Sequence, residues 1–283
     1  QRQRRLGHRG LRVGVVRDQA EVVPLWDQQG SGAALRTVRG PSVPQELRLA
    51  HDALGENSAA LTIDSAVVPR SEIATSRALA AEIGIRQHIL RLNELEQAHF
   101  KNNPRDRCYH CRKARDAAAW RWAGERDFAT IADGMSYSDL ADYRPGLKAA
   151  DEDRIWHPFI EFTIGKDEIR QFTRELGLSG WDRQSMACLA SRFPHGFEVT
   201  PKRVDRVDRA EEFIRSLGFR SVRVRYFPND LAVIETDDHA KLVGLRATIA
   251  PRLRELGFSF VSMDLEDFAS GKLNRTIESA AAQ

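Results

Sequence analysis

Three cysteines are the residues best equipped for chemistry in this chain. Cys108 and Cys111 form Cys-Tyr-His-Cys, and Cys188 lies 77 residues beyond Cys111. A CxxC pair can hold zinc, hold iron, or work as a redox dithiol. A redox dithiol usually opens a helix directly after a strand, whereas this pair follows the polar loop Lys-Asn-Asn-Pro-Arg-Asp-Arg. Structural zinc requires four ligands, and His110 or His195 would have to supply the fourth. Three thiolates without an obvious fourth ligand suit an iron–sulfur cluster with one open iron. The alternative is that Cys188 is a buried small hydrophobe unrelated to the pair.

Arginines form a second set. In Ser221-Val-Arg-Val-Arg225, strand periodicity places Arg223 and Arg225 on one face, with Val222 and Val224 on the other. Two guanidinium forks side by side make a phosphate or carboxylate clamp. A solvated strand face paired with acids is the competing reading. Arg192, four residues after Cys188, would bring a third positive charge.

Two acidic strand ends complete the candidates. Asp64-Ser65 and Asp133-Gly134 each follow a short apolar run. Either could receive part of a nucleotide, Gly134 by letting a ligand approach the backbone. Helix capping and turn chemistry explain the same residues without a ligand.

The elements that must position these groups read clearly from Leu47 onward. Helices are expected over Leu47–Leu54, Ser71–Ile83, Cys111–Arg126 and Lys166–Leu176. Strands are expected over Ala59–Ile63, Arg86–Leu92 and Ala129–Ala132. Strands alternating with helices predict a parallel α/β sheet, whose ligands sit beyond the carboxyl ends of the strands. A second unit follows a boundary near Gly196–Thr200. Thr200 and Pro201 open a helix running to Leu217. A hairpin Val222–Tyr226/Leu231–Glu235, a helix over Asp238–Leu256 and a strand Phe258–Asp264 come next. Leu217-Gly-Phe219 and Leu256-Gly-Phe258 mark a weak internal repeat, α-β-β-α-β, of ferredoxin-like type. The divisions read are 1–46, 47–196, 197–275 and a tail, 276–283.

Composition narrows the class. The chain has 283 residues, 42% of them hydrophobic and 29% charged, which is ordinary for a globular protein. No apolar run reaches the roughly 18 residues of a membrane helix. Three cysteines exclude a disulfide scaffold and point to a reducing, cytoplasmic setting. No signal peptide is read, and the opening Gln1 in place of Met points to a missing start. The net charge of +3 does not argue for a nucleic-acid partner. Residues 1–46 hold eight arginines against four acids and lack a sustained period, with only Leu11–Val16 strand-like. They read as an aberrant or disordered segment: either a basic arm or a corrupted stretch.

Several segments together carry a resemblance over about residues 47–275. They are Asp64-Ser65, Pro104-x-x-Arg107-Cys-Tyr-x-Cys111, Asp133-Gly-Met135, Asp142-Tyr-Arg-Pro-Gly146, Cys188-Leu-Ala-Ser-Arg-Phe-Pro194, Ser221-Val-Arg-Val-Arg225, and Leu256-Gly-Phe258 through Asp264-Leu265. In this order the chain resembles the LarE family, ATP-dependent sulfur transferases that make the nickel-pincer cofactor of lactate racemase. The resemblance implies a PP-loop ATP pyrophosphatase domain of adenine nucleotide alpha hydrolase-like type, plus a smaller C-terminal domain. It implies ATP with Mg2+ at Gly40, Asp64, Ser65, Asp133 and Gly134. It implies a pyridinium-3,5-dicarboxylate mononucleotide whose phosphate meets Arg192, Arg223 and Arg225. Sulfur delivery in the family follows one of two modes. A lone cysteine at the position of Cys188 surrenders its sulfur, or three cysteines hold a 4Fe-4S cluster that carries an extra sulfide. With Cys108, Cys111 and Cys188 all present, the cluster mode is expected, with sulfide or another sulfur donor as co-substrate and a homo-oligomer as the assembly.

The sequence departs from that family at one place. A Ser-Gly-Gly-x-Asp-Ser phosphate loop should fall at about Val38–Val43, where the chain reads Val-Arg-Gly-Pro-Ser-Val and only Gly40 fits. Pro41 removes a donor N–H where donors are needed. Residues 1–46 are therefore expected to pack poorly and the chain to bind ATP weakly. Two rival readings are a tRNA thiolase of the same superfamily and a non-catalytic iron–sulfur or zinc scaffold.

Overall fold

Four parallel strands stand side by side in the order β3-β2-β1-β4. They are β1 (Ala33–Thr37), β2 (Ser58–Asp64), β3 (Gln87–Arg91) and β4 (Thr130–Asp133). The computed structural model describes residues 33–37, 43–141, 145–179, 181, 186–269 and 271–275. In β2 the side chains from Ser58 to Ile63 are all buried, as expected for an inner parallel strand covered on both faces. Helix α1 (Val43–Leu54) follows β1, and α2 (Arg70–Ile83) follows β2. Gly84 stops α2 with φ 85°, and its N–H donates to the Ala80 carbonyl at 3.0 Å.

The chain passes from β1 to β2 to β3 in one direction, then returns to place β4 on the other side of β1. The order therefore reverses between β1 and β4. In open α/β sheets such a reversal leaves a crevice at the carboxyl ends of the two strands. Strand β1 ends at Thr37, and Gly134 follows β4 at the same end of the sheet.

Strand β1 corrects the expectation that nothing regular but Leu11–Val16 lies before Leu47. Ala33–Thr37 pairs with β2 on one side and with β4 on the other. Neighbours on both edges supply its hydrogen bonds, so it needs no amphipathic period of its own. Helix α1 likewise starts at Val43. The rest of 1–46, with Leu11–Val16 and Gly40, lies outside the described residues, as does the tail 276–283.

The short helix α3 (Ala98–Lys101) and the long helix α4 (Arg107–Gly124) lie between β3 and β4. Helix α4 begins four residues earlier than expected, so both cysteines of the CxxC pair sit at its start. After β4 come α5 (Pro145–Glu152), α6 (Pro158–Glu161) and α7 (Lys166–Glu175).

The second unit holds α8 (Pro201–Ser216), β5 (Val222–Phe227), β6 (Leu231–Thr236), α9 (His239–Gly244), α10 (Arg246–Glu255) and β7 (Phe260–Met263). Thr200 caps α8, accepting from the Arg203 N–H at 3.3 Å, with Pro201 at the first helical position. β5 and β6 are antiparallel, and β7 lies parallel beside β6. The expected single helix over Asp238–Leu256 is two helices with a break at Leu245, directly after Gly244. The repeat seen in the sequence has a backbone cause. Gly218 and Gly257 adopt φ of 84° and 104°, and each is followed by a buried phenylalanine, Phe219 or Phe258.

One apolar cluster joins the two units. Val67, Leu95, Phe100, Leu189 and Phe193 from the first pack with Val204, Val207, Val222, Val224, Tyr226 and Phe258 from the second. Cys111 and Cys188 are partly buried against this cluster. Among the described residues no helix is long and apolar enough to cross a membrane.

Candidate functional site

The CxxC pair occupies the first turn of α4. At i and i+3, Cys108 and Cys111 share a helix face, yet Cys108 is exposed and Cys111 is largely enclosed. Burial pushes the Cys111 thiol up to about 11, against the pull of Arg115 and with further upward pressure from Glu94, Cys188 and Cys108. Cys108 and Cys188 therefore both lie within electrostatic reach of Cys111.

Arg115, one turn beyond Cys111, forms an ion pair with the buried Glu94 at 2.6 Å. Burial opposes its charge, but Cys111, Glu94 and Cys188 outweigh that and raise its pKa. Glu94 Oε1 also lies 3.9 Å from the Cys111 sulfur. The sequence reading missed this pair; the i+4 spacing of Arg115 from Cys111 was the available signal.

The loop bearing Cys188 is fastened to the CxxC segment. Arg107 donates to the Ala190 carbonyl at 3.0 Å and also to the Asn103 side chain. Asn103 Nδ2 donates to the carbonyls of Phe193 at 3.2 Å and Pro194 at 2.6 Å. Leu189 N–H donates to the Val67 carbonyl at 3.0 Å, which ties the same loop to the end of β2. Gly146 packs beside the start of α4, where a Cβ would stand 3.7 Å from the Cys108 carbonyl.

Immediately after Cys188 the chain makes a 3-10 turn, Leu189–Arg192, and Arg192 enters the arginine group. Its guanidinium holds Glu211 by two bonds of 2.7 and 2.9 Å. Arg225 holds Glu235 at 2.7 and 2.8 Å and donates to the Ser191 carbonyl at 2.7 Å. Arg223 donates to the Ala269 carbonyl at 3.0 Å and lies over the Phe268 ring at 4.4 Å. Burial, then the neighbouring Arg192 and Arg225, push the Arg223 pKa down to about 10. The arginine face is thus buried rather than solvated, and it turns toward the Cys188 loop. Glu211 and Glu235 were not singled out in the sequence. Glu235 stands opposite Arg223 in the ladder, diagonal to Arg225, where a cross-strand ion pair forms.

The acidic strand ends diverge. Asp64 accepts from Arg70 at 2.7 Å at the surface, and the buried Ser65 hydroxyl accepts from the Val67 N–H at 3.3 Å. Asp133 is fully enclosed: it accepts from His157 Nδ1 at 2.7 Å, from the Met135 N–H at 3.1 Å and from Arg112. Its carboxylate serves an internal network, and Gly134 beside it is buried.

No protein-family model matches the chain. It is 36% identical over 234 residues to an uncharacterized protein of Synechocystis, spanning 81% of this chain and 87% of the relative. It is 35% identical over 237 residues to the pyridinium-3,5-bisthiocarboxylic acid mononucleotide synthase of Lactiplantibacillus plantarum, spanning 83% and 86%. An uncharacterized protein of Methanocaldococcus jannaschii is 31% identical over 191 residues, spanning 67% and 75%.

Proposed function

Since the chain belongs to the family of the pyridinium-3,5-bisthiocarboxylic acid mononucleotide synthase, the LarE family, we propose that it is an ATP-dependent sulfur transferase acting on a pyridinium-3,5-dicarboxylate mononucleotide in nickel-pincer cofactor biosynthesis. One observation carries this reading. The five-residue stretch Cys188–Arg192 carries a thiol that acts electrostatically on Cys111 and a guanidinium, held by Glu211, that acts on Arg223. This supports reading the stretch as the link between a sulfur-delivering group and an anion-binding group.

A carboxylate is a poor electrophile, and conversion to an acyl-adenylate gives it a leaving group. ATP would react in the crevice at the carboxyl ends of β1 and β4, with Asp64-Ser65 and Gly134 near the nucleotide and its Mg2+. Pyrophosphate leaves first; sulfide then displaces AMP and leaves the thiocarboxylate. Arg223, whose charge is crowded by Arg192 and Arg225, gains most from an arriving phosphate dianion. Arg192 and Arg225 are already held by Glu211 and Glu235, so they orient more than they neutralise.

The donor set suits a 4Fe-4S cluster: Cys108 and Cys188 both act on Cys111, and the Arg115 cation acts on Cys111 and Cys188. Cys108, Cys111 and Cys188 would hold it, and such a cluster supplies an open iron for sulfide. Burial of Cys111 keeps its thiol protonated until a cation takes the proton's place.

The test is pyrophosphate release and thiocarboxylate formation by the purified chain with ATP, sulfide and the dicarboxylate mononucleotide. Substrate-dependent pyrophosphate release is expected, with loss of thiocarboxylate in each of Cys108→Ser, Cys111→Ser and Cys188→Ser. Absence of pyrophosphate release from the folded chain overturns the transferase reading. Dehydroalanine at 188 after turnover, with full activity in Cys108→Ser and Cys111→Ser, replaces the cluster by a sacrificial cysteine.

A further inference from the structure

On the surface of the same segment, a second group of ligand-type side chains converges. His99 comes from α3, Asp106 is the residue that opens α4, and His110 stands one turn into α4. All three are exposed, and one ligand atom from each lies within 4.8 Å of the others. His99 Nε2 is 3.1 Å from one oxygen of Asp106, and His110 Nε2 is 3.1 Å from the other oxygen. The two imidazole rings meet edge to face, 4.2 Å between centroids.

The behaviour of Asp106 is the informative part. At the start of a helix an aspartate ordinarily accepts from the N–H of the second or third helical residue. Asp106 makes no such cap bond, and its carboxylate is turned to the two imidazoles. The platform beneath is fixed. Phe100 is buried, and Asn103 takes φ 53° with its side chain spent on the carbonyls of Phe193 and Pro194. His99 and Asp106 are therefore held at opposite ends of a turn anchored to the core.

We propose that His99, Asp106 and His110 bind a divalent transition cation at the surface, its remaining positions filled by water. Two imidazole nitrogens and one carboxylate select zinc, nickel, cobalt or ferrous ion over the oxygen-seeking magnesium and calcium. At metal–ligand bonds of about 2.1 Å, neighbouring octahedral donors stand roughly 3.0 Å apart. That is close to the 3.1 Å between each imidazole nitrogen and Asp106; the two imidazoles, within 4.8 Å, need only close up by a side-chain rotation. The site uses no thiol and is independent of the sulfur chemistry proposed above.

The experiment uses the full chain with Cys108, Cys111 and Cys188 changed to Ser, so that no thiol competes. Co2+ is titrated in, its visible absorption recorded, and Zn2+ and Mg2+ tested as competitors. One Co2+ per chain is expected, displaced by Zn2+ and not by Mg2+. His99→Ala, His110→Ala and Asp106→Asn should each weaken binding by about 100-fold or more, beyond the usual loss for a mere supporting residue. Unchanged binding in the His99→Ala/His110→Ala double variant overturns the site, as does a folded thiol-free chain that binds no Co2+ at micromolar concentration. If the thiol-free chain does not fold, the same titration is run on the natural sequence. A nitrogen–oxygen cobalt band that survives His99→Ala, or thiolate charge-transfer bands alone, then counts against the proposal.

Discussion

Arg107 donates to the carbonyl of Ala190 at 3.0 Å, a bond that spans 83 residues of sequence and joins the turn of the CxxC pair to the turn of Cys188. The same guanidinium holds Asn103, whose own side chain grips Phe193 and Pro194. Two residues thus lock together the segments that carry all three thiols.

Arg107→Ala should separate those segments. It leaves buried acceptors on Asn103 and Ala190 without their donor, at about 1–3 kcal/mol for each. Thermal unfolding should show a lower midpoint, and disulfide trapping between Cys111 and Cys188 should become slower and more heterogeneous. Trapping at the unaltered rate would show that other contacts suffice.

Glu211 makes a pH prediction. Burial would raise its pKa, but Arg192, then Arg215 and the Val224 N–H, bring the folded-state value below the ordinary one. Stability from this group is therefore complete above the ordinary carboxylate range and is lost as the pH falls through the lowered value. Urea titrations from neutral to acid pH should show less acid sensitivity in Glu211→Gln. That variant should also be less stable at neutral pH by about 3–5 kcal/mol, since Arg192 loses a buried partner.

Arg115 and Glu94 should behave as a unit. Arg115→Leu alone strands a buried carboxylate, at about 3–5 kcal/mol. The double variant Arg115→Leu/Glu94→Leu should recover much of that loss, as measured by a denaturant double-mutant cycle. The recovered fold should still bind iron poorly, since the Arg115 cation no longer faces Cys111 and Cys188. Undiminished iron binding in the folded double variant would remove Arg115 from that role.

Asp133→Ala should be a stability variant first. Arg112, His157 and the Met135 N–H all lose their acceptor, so a marked fall in unfolding midpoint is expected. At a temperature where the variant is folded, ATP affinity measured by calorimetry should change much less than in Asp64→Ala, whose carboxylate faces the surface.

Much of this molecule is legible in its residues. The glycines after α2, α8 and α10 announce helix ends because φ above zero is costly for any other residue. Thr200-Pro201 announces α8 for similarly local reasons. The alternation of Val and Arg in β5 separates a core face from an arginine face. What only the tertiary structure decided are relations between distant segments: β1 recruited between β2 and β4, Arg107 reaching Ala190, and Arg225 divided between Glu235 and Ser191. It also separated Asp64 from Asp133, which look alike as strand ends, because one faces water and the other is enclosed by Arg112 and His157. Local conformation follows from φ, ψ and side-chain type over a few residues. Partnership and desolvation depend on which segments a shared core brings together, and no short-range pattern encodes that.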